Sequence, residues 1–344
     1  MPAGDKGGKW ILGSSGLGIE IEMTGITRAG AAKVAAAYFG TRSEYVGTYY
    51  QAYAAVDQEG RQWKFMSDGS IRAERKIDGE RRSAGAVYKT EMVSPICRYE
   101  DIEKIQELIR ALKKKGAIVN ESCGIHVHID ASPFDAGKLR NLTNIMAAKE
   151  DLIYKALGGV CGKTAPVVQT CGRALLEELN RRRPTSMAAV EEIWYNGRSR
   201  RGQHYDQSRY HCLNLHSVFQ KGTVEFRLFN GTLHAGKIKA YIQFCLAVTA
   251  QALNQTCASR IRTETTNEKY TFRTWLLRLG LNGKEFETAR YHLLKDLPGC
   301  IAWRDPAQAI AQQERLRRKR AESCRLQEQA ADEETETGTM TIRG

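Results

Sequence analysis

Residues 124–130 read Gly124-Ile125-His126-Val127-His128-Ile129-Asp130, an alternation of apolar and polar side chains in a β-branched run that predicts a half-buried strand. Side chains of a strand alternate sides, so Ile125, Val127 and Ile129 face a core while His126, His128 and Asp130 share the other face. A merely solvated face carries Thr, Lys or Ser more readily than two imidazoles and a carboxylate. Two readings are open, a polar surface strand and a metal or phosphate site, and partners elsewhere in the chain must separate them.

Leu17–Met23 alternates in the same way and sets Glu20 and Glu22 on one face, opposite Ile19, Ile21 and Met23. Like charges on adjacent same-face positions repel. They are tolerated where the face is wet, or where a cation sits between them, and hard oxygen ligands suit Mg²⁺ or Mn²⁺. Glu91 interrupts the apolar strand end Thr90-Glu91-Met92-Val93, as a ligand or as an edge-strand charge.

A hairpin is expected over Tyr210–Phe219 and Thr223–Asn230, turning at Gln220-Lys221-Gly222. It sets Asn214 and His216 opposite Leu213 and Leu215, and Glu225 and Arg227 opposite Val224, Phe226 and Leu228. Glu225 and Arg227 could simply pair, or Arg227 could fork onto a phosphate while Glu225 holds a metal. Ser67-Asp68-Gly69-Ser70 reads as a turn that could offer a carboxylate and a hydroxyl to a substrate or nucleotide.

Between these strands the pattern predicts a hairpin over 48–66, a charged loop over 72–85, and helices near 29–39, 100–115, 139–157, 172–182, 186–195, 237–253, 270–279 and 284–295. Residues 160–172 form a Gly-containing connection and 196–207 a basic loop. A catalytic domain is expected over 1–303. Residues 304–344, highly charged with few aromatics, form a helical to disordered tail.

The 344 residues supply ample apolar material for a core, and 52 Lys+Arg against 39 Asp+Glu give a formal charge of +13 that favours anionic partners. Nine cysteines without a C-x-x-C pair argue against a disulfide framework and a zinc ribbon. No run of eighteen apolar residues occurs, and the start MPAGDKGGKWILGSSG has too short an apolar run for a signal peptide. Cytoplasmic residence without a membrane partner is the expectation.

Several strands thus place functional groups on one face and apolar groups on the other. One sheet could hold them all: an α+β fold with a curved, mainly antiparallel sheet, functional residues on its concave face and helices packed on the other. Carboxylates with imidazole and no thiolate favour Mg²⁺ or Mn²⁺, and an arginine among them implies an anion, which is equipment for phosphoryl transfer.

Glu-x-Glu, Asp-Gly-Ser, Thr-Glu-Met-Val-Ser-Pro, Gly-Ile-His-Val-His-Ile-Asp, Asn214 and Glu225-Phe226-Arg227-Leu228-Phe229 follow the order and spacing of the amidoligase family, which the chain resembles over roughly residues 17–255. That family is similar to glutamate–cysteine ligase and glutamine synthetase. The resemblance implies an ATP-dependent ligase in which Mg²⁺-ATP phosphorylates a carboxylate and an amine attacks the acyl phosphate. It implies metal ligation by Glu20, Glu22, Glu91, His126 and Glu225, with Arg227 and Glu225 catalytic and Arg227 stabilising the transferring phosphoryl group. His128, Asn214, Asp68, Ser70 and Arg227 would contact nucleotide or substrate. No G-x-x-x-x-G-K-[ST] loop is present, so metals and basic side chains would have to hold the phosphates. The proton acceptor for the amine is open, with His216 and Asp130 as candidates, and the substrates could be amino acids, peptides or protein tails. Two alternatives stand beside this reading: a metal-dependent hydrolase built on His126 and His128, and a nucleic-acid-binding or scaffold protein acting through its basic tail.

Overall fold

The computed structural model describes residues 16–158 and 172–340. The Gly/Ser-rich start through residue 15 and most of the 160–172 connection lie outside the described residues. Ten strands follow in chain order: β1 (Leu17–Met23), β2 (Ser43–Gly47), β3 (Ala52–Val56), β4 (Gln62–Met66), β5 (Glu74–Ile77), β6 (Glu80–Ser83), β7 (Thr90–Val93), β8 (Gly124–Asp130), β9 (Leu213–Asn214) and β10 (Thr223–Asn230). Eight of them form one sheet in the order β2-β3-β4-β7-β1-β8-β10-β9, each neighbouring pair antiparallel, and β5 and β6 form a separate hairpin. The fold is α+β, as the strand patterns predict.

Alternation decides the layering. Ile19, Ile21, Met92, Ile125, Val127, Ile129, Val224 and Phe226 are buried on one face of the central strands. Helix α1 (Arg28–Phe39) packs on β3 and β4, and its buried residues include Ala31, Ala32, Ala35 and Ala36, whose small side chains allow close approach. The helices α2 (Ile102–Lys114), α3 (Ala136–Ala156), α4 (Arg173–Arg182), α5 (Met187–Trp194) and α6 (His216–Lys221) follow, and then α7 (Ala235–Asn254). Helix α7 is buried on nearly every side because it packs on β8 as well as on α2 and α3. Helices α8 (Glu268–Arg278), α9 (Glu287–Leu294) and α10 (Pro306–Met340) complete the chain.

Two compact units divide it. One runs through Thr263 and resumes over Trp275–Asp296; the other joins Glu264–Thr274 to the residues from Leu297 onward. Within the second, Asn267 is the anchor: its Nδ2 donates to the Trp303 carbonyl at 2.6 Å and its Oδ1 accepts from the Tyr270 amide at 3.1 Å.

Three local expectations are corrected. The hairpin expected over 210–230 is not a hairpin: β9 covers two residues, and His216 sits at the start of α6 rather than on a strand. Leu215, Val218 and Phe219 follow a helical spacing, and Gly222, with φ 72°, closes the helix in the left-handed region, so helix stop chemistry wins over a short alternation. The charged loop over 72–85 contains the β5–β6 hairpin, turned by Asp78 and Gly79 at φ 52° and 84°, the positive pair that a two-residue turn requires. In β10 the register shifts between Phe226 and Phe229, so Arg227 and Leu228 together oppose His126. This bulge breaks the strict alternation; Phe229 returns to the helical side and stacks on Tyr241 of α7 at 4.3 Å between centroids.

A charged network ties the sheet to the entry of α2. Arg61 forks onto both oxygens of Asp101 at 2.8 Å each, Nε of Arg61 reaches Asp57 at 2.9 Å, and Trp63 Nε1 donates to Asp57 at 3.1 Å. These hydrogen bonds compensate the burial of Asp57.

Candidate active site

Register gathers the polar residues. Glu20 lies opposite His126, Glu22 opposite Glu91, and Glu225 opposite both His128 and Asn214, so five adjacent strands, β7-β1-β8-β10-β9, contribute to one patch. Directly opposed residues of an antiparallel pair put their side chains on the same side. The face turned from the helices therefore holds carboxylates and imidazoles because each strand repeats a period of two.

Two triads result. Ligand atoms of Glu20, His126 and Glu225 lie within 4.8 Å of one another, and so do those of Glu22, Glu91 and His126. His126 Nδ1 is 3.0 Å from Glu20 Oε2 and 3.7 Å from Glu225 Oε1. His128 Nε2 is 3.3 Å from Glu20 and 3.8 Å from Glu225, while its Nδ1 meets the Thr223 hydroxyl at 3.0 Å, itself 2.8 Å from Ser217 Oγ. Glu225 is held from both sides: Asn214 Nδ2 donates to Oε2 and Arg227 to Oε1, each at 2.6 Å.

Electrostatics separates the acids. Burial alone would raise the Glu225 carboxyl, but the charges of His128, Arg227 and His126 outweigh it and bring its pKa down to about 2. Burial also opposes ionisation of Glu20, and attraction to His128 and His126 overcomes it, leaving this carboxyl well below the usual range. Glu22 and Glu91 go the other way. Burial raises both; the charges of Glu20, Asp68 and Glu22 push Glu91 further, and that of Asp68 adds to the rise of Glu22.

Buried carboxylates crowded this closely suit a divalent cation, whose charge removes the repulsion. Two further observations fit one. His128 Nε2 is buried without a hydrogen-bond partner, whereas Arg227 Nε, buried and likewise without one, is an N–H donor and suits an anion. A side chain at Gly124 would place its Cβ in ordinary contact with His126 Nε2, at 3.4 Å, and Glu22 Oε2, at 3.6 Å, so glycine leaves the space beside His126 Nε2 open. The Gly124 amide in turn donates to Glu22 at 2.6 Å.

The remaining expected residues are more peripheral. Asp68 and Ser70 bond to each other within their loop, with the Ser70 amide 2.7 Å from Asp68 Oδ1, and Asp68 is near enough to raise the Glu91 carboxyl. Asp130 caps the next turn by accepting from the Ser132 amide at 2.9 Å. His216 is buried, and its Nδ1 meets the Tyr195 hydroxyl at 2.5 Å. Lys221, Thr223 and Ser217 were not expected at the site. Lys221 Nζ lies 3.7 Å from Glu20 Oε1, brought there by the turn of α6 into β10. Its position before a capping glycine is a sequence signal for a helix end, not for a site.

The fold and these residues define a sheet-borne acidic centre with a built-in arginine, suited to divalent cations and anionic substrates. A family model described as "putative amidoligase enzyme" matches residues 15–249, and the chain belongs to this family, which gives it a ligase-type function. No curated protein matches the chain. Among the described residues, no helix is long and apolar enough to cross a membrane.

Proposed function

We propose that the protein is an ATP-dependent carboxylate–amine ligase that forms an amide through an acyl-phosphate intermediate. The observation that carries this reading is the pair of triads sharing His126, with the Arg227 guanidinium 2.6 Å from the Glu225 carboxylate. Glu20, His126 and Glu225, or Glu22, Glu91 and His126, would hold a Mg²⁺ or Mn²⁺ ion; the single lone pair of a neutral imidazole lets His126 serve one of the two positions, and carboxylates alone would complete the other. Bound there, such ions neutralise nucleotide phosphates.

In the first step an oxygen of the substrate carboxylate attacks the γ-phosphorus of ATP, the bond to the β-phosphate oxygen breaks, and ADP leaves. Glu225 holds Arg227 against the sheet, and the guanidinium stabilises the charge spread over the transferring group. Lys221 adds a second positive charge at the rim. In the second step the amine nitrogen attacks the acyl carbon, phosphate leaves, and the nitrogen loses a proton. His128, whose Nε2 faces the Glu20 carboxylate at 3.3 Å, is the group assigned to receive it when its ring is neutral, and the resulting imidazolium is stabilised by Glu20 and Glu225. Thr223 fixes the ring through Nδ1.

The test is an ADP-release screen of the purified protein with Mg²⁺ across pairs of carboxylates and amines. ADP should form only when both partners are present, and Glu20→Ala and Glu225→Ala should abolish it. Amide hydrolysis without nucleotide, and no ADP with any pair, would replace the ligase by a metal-dependent hydrolase.

A further inference from the structure

A cavity lies among the helices and uses none of the site residues above. Residues 255–263 run along α3 and are pinned to it: Asn141 Nδ2 donates to the Gln255 carbonyl at 2.8 Å, Asn144 Nδ2 to Ala258 at 3.0 Å, and the Thr263 amide to Ala148 at 3.0 Å. Between this strap, α3, α7 and the end of α8 is a cavity of about 720 Å³ whose lining includes Ile145, Lys149, Gln251, Trp275, Arg278 and Leu279. Its size suits a small ligand. Lys149 Nζ is 2.5 Å from Thr263 Oγ1 and 5.9 Å from the centre of the Trp275 ring, whose Nε1 is held by Gln251 Oε1 at 3.1 Å.

The charge here is unbalanced. Lys149 and Arg278 line the same space, and no carboxylate lines it among the described residues. Burial, and then repulsion from Arg278, makes Lys149 easier to deprotonate than an ordinary lysine. An anion placed between the two cations relieves both effects, and the apolar wall of Ile145, Trp275 and Leu279 accommodates a small hydrophobic body.

We propose that this cavity binds a small organic anion, its carboxylate or phosphate head between Lys149 and Arg278 and its apolar body against Trp275. The site is independent of the acidic centre, so its failure leaves the ligase reading untouched. The full chain is titrated by calorimetry with benzoate, phenyl phosphate and inorganic phosphate, with circular dichroism as the check on folding. Benzoate or phenyl phosphate should bind more tightly than inorganic phosphate, and whichever is preferred identifies the head group. Lys149→Met and Arg278→Gln should each weaken that binding about tenfold or more, as loss of a charge-assisted contact does, while Glu20→Ala leaves it unchanged. Arg278 is exposed, so its variant keeps the fold even where that of Lys149 does not. No binding of any probe, equal binding in a folded Arg278→Gln variant, a loss on Glu20→Ala, or inorganic phosphate binding as tightly as benzoate and phenyl phosphate would each overturn the proposal.

Discussion

Glu225 is the residue on which the site turns. It is buried, ionised, and held by Asn214 and Arg227. Replacing Asn214 by Ala strands Oε2 of a buried carboxylate, and the expected cost is about 1–3 kcal/mol, read as a lower Tm in thermal denaturation. Arg227→Lys keeps the charge but loses the fork that spans Glu225 and an anion. Turnover should fall about a hundredfold with little change in Tm, the magnitude typical of removing one transition-state donor. Lys221→Ala, an exposed partner of Glu20, should cost under about 1 kcal/mol in stability, yet weaken nucleotide binding measurably by calorimetry. Glu20, Glu22, Glu91 and His126 were legible in the sequence because a strand period of two sorts them onto one face without reference to the rest of the chain. Thr223 and Lys221 were not, since their roles come from a turn that brings them across to β8 and β1. Gly124 begins the same alternating run, but the space it leaves beside His126 and Glu22 exists only once β1 and β8 are paired.

At the level of elements, long alternating strands and helices with a 3.6-residue stripe were readable, and short segments were not. Leu213-Asn214-Leu215-His216 alternates as a strand would, but four residues weigh little against Gly222, which caps the helix that begins at His216. The bulge in β10 was equally hidden, because a bulge is a property of the pairing with β8 and leaves the strand's own composition unchanged. Gly222→Ala forces a Cβ into the left-handed region and should destabilise by about 1 kcal/mol in chemical denaturation, with Gly222→Asn less harmful. The same turn delivers Lys221 and Thr223 to the site. Gly222→Ala should therefore also reduce turnover, which a substitution affecting stability alone would not do at temperatures well below Tm.

For the molecule as a whole, the Arg61 network sets the acid limit. Hydrogen bonds from Arg61 hold the Asp101 carboxyl well below the usual value of 3.8; burial opposes ionisation of Asp57, but hydrogen bonds from Trp63 and Arg61 lower it on balance. Groups depressed in the folded state contribute stability that is present above their ordinary pKa and is lost as pH falls through the folded one. Tm should be flat near neutrality and fall below about pH 4, and Arg61→Ala should flatten that fall while costing roughly 2–4 kcal/mol at pH 7, discounted for partial exposure. The +13 formal charge favours anionic partners in general and does not identify one. The measurement that bears most directly on the acidic centre is calorimetric titration of ATP with and without Mg²⁺ into the wild-type chain, Glu20→Ala and Glu225→Ala. Binding should require Mg²⁺ and disappear in both variants while circular dichroism stays unchanged; equal binding in all three proteins, or binding indifferent to Mg²⁺, would contradict a nucleotide held through these carboxylates.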